Sequence, residues 1–174
     1  AEFVATESEK ASLSAGGQRI VSDDGRQVLA RISLIDEKGE VLLDDYVRPS
    51  EPVVDYLTRF SGLTPEDLDP STSTHPLITN RAAHLKLRYF LDKGCIFVGH
   101  GLQKDFETAN LFVPPEQIRD TVELWRFPGQ RKISLRFLAG FLLERKIQDE
   151  IHDSIEDAKT ALDLYKYYME VKEK

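Results

Sequence analysis

The chain has 174 residues, of which 41% are apolar and 30% charged, a composition that suits a single globular core. No apolar run approaches the ~20 residues of a membrane span, and no signal-peptide pattern opens the chain. The one cysteine cannot close an internal disulfide, so an intracellular, reducing setting is expected. The net charge of −7 argues against a protein that grips nucleic acid through a basic stripe. It leaves a nuclease open, because active-site carboxylates add negative charge and divalent cations supply the positive charge a phosphate needs.

Ala1-Glu2-Phe3-Val4 reads as the tail of a strand and begins so abruptly that upstream residues are expected to be missing. Residues 7–26 are polar, with Gly16-Gly17 and Asp23-Asp24-Gly25, and predict a mobile loop or turn rather than a packed element. Val28 to Ile35 alternates as a strand, Glu37 to Glu40 turns, and Val41 to Val47 returns as its hairpin partner. Three strands in a meander therefore open the domain. Beyond Pro49 and Pro52, Val53 to Leu57 predicts a short helix, and Ser61-Gly62-Leu63-Thr64-Pro65 a turn that leaves Leu63 exposed unless it packs or meets a ligand.

After the Ser/Thr/Pro segment 70–76, residues Leu77 to Asp92 carry helical spacing. Cys95 to Val98 is a short apolar run before Gly99, read as a strand buried on both faces with Cys95 inside. Gly99-His100-Gly101-Leu102 leaves that strand at the end where α/β sheets bind ligands, and its glycines allow close backbone approach. Asp105 follows on the first turn of a helix running to Leu111, where it is either a functional carboxylate or a favourable charge at a helix start, with His100 a hydrogen-bonded loop histidine. Asp120 to Leu124 reads as a last strand or its exit, with Asp120 a cap or a ligand. Ser134 caps a helix apolar nearly all round to Leu143, and an acidic loop leads to His152.

The final helix has apolar residues at Ile155, Ala158, Leu162, Tyr165 and Met169, with Ala161 and Tyr168 beside them, the spacing of one buried face. Ser154 and Asp157 form a capping-box pattern. The same Asp157, with His152 five residues ahead, also suits a metal ligand with a general base beside it. Glu2, Asp105 and Asp157 then occupy comparable places, and they converge if the first and fourth strands are neighbours. Like charges ~4 Å apart repel by about 4 kcal/mol at an effective dielectric near 20, so such a group needs a cation. Oxygen donors favour Mg²⁺ or Mn²⁺, and a metal pair suits in-line displacement at phosphorus, with His152 able to take the proton of the attacking water.

In six ordered blocks the chain resembles the DEDDh 3′→5′ exonucleases of the ribonuclease H-like fold: Ala1-Glu2-Phe3-Val4, Leu43 to Val47, Val53 to Leu57 with Ser61-Gly62-Leu63, Gly99 to Leu102 with Asp105-Phe106, Ile133 to Ala139, and His152 to Ala158. Within that superfamily it is similar to the exonuclease domains of poly(A) deadenylase catalytic subunits. The resemblance implies an α/β domain over residues 1–174, with a central mixed five-stranded sheet flanked by helices, and a place in a larger subunit whose propeller, ubiquitin-hydrolase-like domain and partner-binding linker lie upstream. It implies two divalent metals, Mg²⁺ or Mn²⁺, on Glu2, Asp105 and Asp157, with His152 as general base. The implied substrate is a poly(A) 3′ end, the product 5′-AMP and the setting the cytoplasm. Ser61, Gly62 and Leu63 would pack against the terminal nucleotide, Phe3 would stack or wedge unless it faces the core, and His100 and Leu102 would line the substrate.

The family's first motif reads Asp-Ala-Glu-Phe-Val, whereas this chain starts at the Ala. At most feeble nuclease activity is therefore expected of the chain as it stands. The competing readings are an exonuclease acting on RNA other than poly(A), or an RNA-binding domain with impaired catalysis. A nucleotide-binding regulator has no Gly-x-Gly-x-x-Gly or P-loop to support it.

Overall fold

A computed structural model describes residues 1–173 except 9, 15, 17, 18, 24, 128 and 148–151, and describes the backbone alone at residues 10, 11, 13 and 19–23. The end of the acidic loop before His152 thus lies outside the described residues. Strand β1 (Glu2–Ala5) is followed by β2 (Lys10–Leu13) and β3 (Arg19–Asp23), an antiparallel pair in the stretch that polarity alone assigns to a loop. Strands β4 (Gln27–Ile35) and β5 (Val41–Arg48) are the expected hairpin, and β1 lies antiparallel beside β4, which completes the meander. Asp36 tightens the turn by accepting from the backbone N–H groups of Lys38 and Glu40 at 2.8 and 2.9 Å.

The helix expected over Val53 to Leu57 is displaced. That stretch is extended, with Asp55 bridging to Ala5, and the first helix α1 (Thr58–Ser61) starts after Leu57, whose φ of 51° reverses the chain. Helix α2 (Pro65–Leu68) has proline in its first turn and a capping box between Thr64 and Asp67. Strand β6 (Leu77–Thr79) takes the first residues of the expected 77–92 helix, pairing parallel to β5. Helix α3 (Asn80–Asp92) begins once the Thr79 side chain accepts from the Ala82 N–H.

Strand β7 (Phe97–Gly99) leads into α4 (Leu102–Thr108), and β8 (Ile118–Asp120), parallel to β7, leads into α5 (Thr121–Leu124). Cys95 lies ahead of β7 and is exposed, contrary to the expectation of a buried strand cysteine. Ser134 caps α6 (Leu135–Leu142) as expected, but Phe137 and Phe141 stack on each other in solvent, so this helix is not buried all round. The long α7 (Ser154–Glu173) closes the chain, and none of the helices described is long and apolar enough to cross a membrane.

The mixed sheet runs β1-β4-β5-β6, and β7-β8 form a separate parallel pair, where one five-stranded sheet is expected. Neighbouring residues of β4 point to opposite faces. Leu29 joins Val47, Ala83, Leu87 and Leu91 in a core under α3, while Ala30 joins Val4, Leu63 and Leu68. A third cluster sets Leu135, Leu138 and Ala139 of α6 against Ala161 and Leu164 of α7. The buried face of α7 therefore runs through Ser154, Thr160, Ala161 and Leu164, rotated from the expected stripe, and Met169 of that stripe is exposed.

Candidate active site

Glu2 is the most deeply set of the candidate acids, only 6% exposed on β1 and opposite Arg31 of β4. Its carboxyl is raised from 4.5 to about 8, chiefly by burial; the Ala1 ammonium and Arg31 oppose the rise, and the fields of Asp157 and Asp105 add to it. Glu2 thus lies within electrostatic reach of both Asp157 and Asp105. The condition set by the sequence was a strand pairing of β1 with the strand before Asp105, and no ladder between β1 and β7 occurs among the described residues. The two regions meet instead through the Ala1 ammonium, 3.0 Å from Asp105 Oδ1.

Asp105 owes its position to the exit from β7. A Cβ at Gly99 would collide with the Leu102 side chain, and Gly101 holds φ at +78° at the cap of α4, so both positions require glycine. The N–H groups of Gly101, Leu102 and Val122 all donate to the Asp120 carboxylate at 2.9 Å. Asp120 is thereby a cap that ties two helix starts together, which resolves its two alternatives against the metal role. His100 is anchored as well. The Thr121 hydroxyl donates to the Gly99 carbonyl at 3.0 Å, so the 2.9 Å contact between His100 Nδ1 and Thr121 Oγ1 uses the Nδ1 proton. Burial lowers the His100 pKa, against the opposing pull of Asp120 and the Ile133 backbone.

Asp157 sits in the first turn of α7, half-buried, with the His152 Nδ1 3.7 Å from its Oδ2. The residue that caps this helix is Asp153, not Ser154: its Oδ1 accepts from the Ile155 N–H at 3.2 Å, and its carbonyl from the Asp157 N–H at 2.9 Å. Ser154 lies inside the helix and exchanges a hydrogen bond with the Ser33 hydroxyl of β4. The ring of Phe60 meets His152 edge-on, with centroids 6.4 Å apart.

The loop expected to present Leu63 to a ligand does the opposite. Leu63 is 2% exposed and packs with Val4, Ala30 and Leu68. Gly62 at φ 70° turns the chain inward, the Ser61 hydroxyl donates to the Tyr56 carbonyl and accepts from the Leu63 N–H, and Thr58 holds the Leu63 carbonyl. The aromatic this loop exposes is Phe60, 60% accessible, which the sequence does not distinguish from a core residue. Phe3 is half-buried against the α3 core, and Lys104 lies over its ring at 4.7 Å. Lys104 itself, which also reaches Gln27, carries no motif signal beyond its place beside Asp105.

Among the described residues, no three His, Cys, Asp or Glu side chains stand assembled as a ligand shell. The donor chemistry nevertheless fits hard divalent cations. All three donors are carboxylates, and a cation would offset the burial that disfavours the Glu2 charge.

The PAN2 catalytic subunit of the PAN2-PAN3 deadenylation complex from Cryptococcus neoformans is 51% identical over 175 residues, covering 98% of this chain and 15% of that protein. The Saccharomyces cerevisiae Pan2 pseudoubiquitin hydrolase-RNA exonuclease module in complex with AACCAA RNA matches with a TM-score of 0.86 at 44% identity, over 99% of this chain and 28% of that one. The same module in complex with A7 RNA matches at 0.82 and 43%, over 99% and 29%. The chain thus spans about 15% of the length of the PAN2 subunit it matches. Its mixed sheet with flanking helices is the ribonuclease H-like fold, and with residues 22–165 matching the RNase T exonuclease family, the chain belongs to that family of exonucleases.

Proposed function

We propose that this chain is the 3′→5′ exoribonuclease domain of a poly(A) deadenylase, removing nucleotides from poly(A) tails as 5′-AMP. The observation that carries this reading is the buried Glu2 lying in the fields of Asp105 and Asp157, with His152 3.7 Å from the last of them. Glu2, Asp105 and Asp157 would hold two Mg²⁺ or Mn²⁺ ions. When bound, such a pair neutralises the scissile phosphate and acidifies the attacking water. The Asp157 carboxylate favours a proton on Nδ1 of His152, which leaves Nε2 to accept the proton of that water. Phe60 shields one edge of the imidazole, and Phe3 with Lys104 offers a ring and a cation to a terminal nucleotide. Ser61, Gly62 and Leu63 shape the wall from behind, while the anchored His100 and Leu102 hold the strand exit that positions Asp105.

The partner is the single-stranded 3′ end of a poly(A) tail, as the A7 complex of the yeast relative supports. PAN3 and poly(A)-binding protein would engage regions of the subunit outside this domain, and the setting is the cytoplasm. The test is a 5′-labelled oligoadenylate against a mixed-sequence RNA of equal length, each with Mg²⁺ and with Mn²⁺. The deadenylase reading predicts feeble but stepwise 3′ shortening of the oligoadenylate with release of 5′-AMP. Equal rates on both RNAs would reassign the domain to a general RNA exonuclease, and binding without cleavage to an RNA-binding role.

A further inference from the structure

We propose that Arg31 is the positioning residue of this site, a fork that sets His152 and Asp157 in register with Glu2. The inference rests on the exonuclease reading above. Arg31 stands directly opposite Glu2 in the β1-β4 ladder, so its backbone is fixed to the strand that carries the deepest acid. Its guanidinium is clamped by Asp44 of β5 through Nε at 2.9 Å and Nη2 at 3.0 Å, the paired geometry that only arginine offers a carboxylate. Ser33 donates to the same Asp44 at 2.7 Å, and the guanidinium lies 5.3 Å from the centre of the Tyr46 ring. One nitrogen remains, Nη1, and it reaches Asp153 Oδ1 at 3.1 Å. Asp153 follows His152 and caps the helix that carries Asp157. One side chain thus joins the strand beside Glu2 to the loop of His152, and the Ser33–Ser154 hydroxyl pair repeats the tie two residues on along β4 and one residue on from Asp153.

The two ends of this connection differ in kind. The arginine is only 14% exposed, whereas Asp153 is 53% exposed, where an ion pair adds little to folding stability. A tie so weak energetically and so specific in geometry acts on placement. Lysine at position 31 would keep the charge and lose the fork.

Two variants of the full chain test this. Asp153→Ser keeps a helix-capping hydroxyl but is too short to reach Arg31, and Arg31→Lys keeps the cation. For Asp153→Ser, the melting temperature should shift by no more than ~4 °C. With Mg²⁺ and oligoadenylate, both variants should lose kcat by about 10-fold to 100-fold at unchanged KM, the scale of a misplacement near 1 Å. In a His152→Ala background the same changes should cost less than in the parent, the remainder acting through Asp157. A readout without turnover separates this from the enzymatic reading: at fixed pH, the His152 ring resonances should move in both variants, while those of His84, bound to the Ala109 carbonyl, stay in place. Unmoved His152 resonances, or parent-level kcat in Asp153→Ser, would overturn the role of Arg31. Moved resonances in a chain that cleaves no RNA would uphold the tie and refute the exonuclease reading alone.

Discussion

Glu2 and His152 flank the same group of carboxylates and are held in opposite ways. Glu2 is part of the sheet, 6% exposed, and its charge is so poorly tolerated that the carboxyl is pushed up to about 8. His152 lies on a loop, its side chain 35% exposed, with Phe60 at one edge and Asp157 at its Nδ1. The proposed cation ligand is set where water screens least. The proposed general base is left at the rim. Depth supplies electrostatic strain on one side, and on the other side contacts from neighbouring elements supply placement.

The harshest way to break this contrast is at the acids. Asp105→Asn removes a proposed cation ligand and should lower Mg²⁺-dependent cleavage by about 10³-fold or more, with the fold retained by circular dichroism. His152→Ala should cost about 10²-fold while Mg²⁺ binding, read by calorimetry, is unchanged, since it touches the rim alone. Proton and cation compete at Glu2. Because its folded pKa is raised, the folded state holds a proton between pH 4.5 and about 8 that the unfolded chain has released, so without metal the stability falls as pH rises through that window. The melting temperature should therefore decline from pH 5 to 8.5 in EDTA. It should decline less in Mg²⁺, whose affinity should strengthen by up to about tenfold per pH unit below 8. The smallest effects on rate come from the loop between the two regions. Phe60→Ala should slow cleavage only a few-fold and leave stability within ~0.5 kcal/mol. Leu63→Ala should cost about 2–5 kcal/mol in urea denaturation with little change in the rate of the folded fraction.

That last pair marks where the sequence stops being readable. Leu63 stands in a Ser-Gly-Leu-Thr-Pro turn, and composition assigns such turns to the surface, yet a left-handed Gly62 and three local hydrogen bonds drive the side chain inward. The β4-β5 hairpin and the Ser134 cap were legible because alternation and capping are local signals. The β2-β3 hairpin was not, since its polar, glycine-bearing sequence offers no apolar period. The Val53 to Leu57 segment fails as a helix because Asp55 bridges to Ala5, a partner more than forty residues away that periodicity does not see. At the site, motif spacing named the acids and the histidine, while their convergence depends on tertiary contacts. Arg31 carries no signal at all, being one more alternating residue of a strand.

The exposure of Cys95 has a practical side. It is the chain's sole thiol, and it precedes β7 at the end opposite the Gly99-His100 turn. That strand lies between it and the turn that leads to Asp105. A maleimide fluorophore would attach there and nowhere else, giving a single-coloured reporter for watching individual RNA molecules arrive and shorten without disturbing the chemistry it observes.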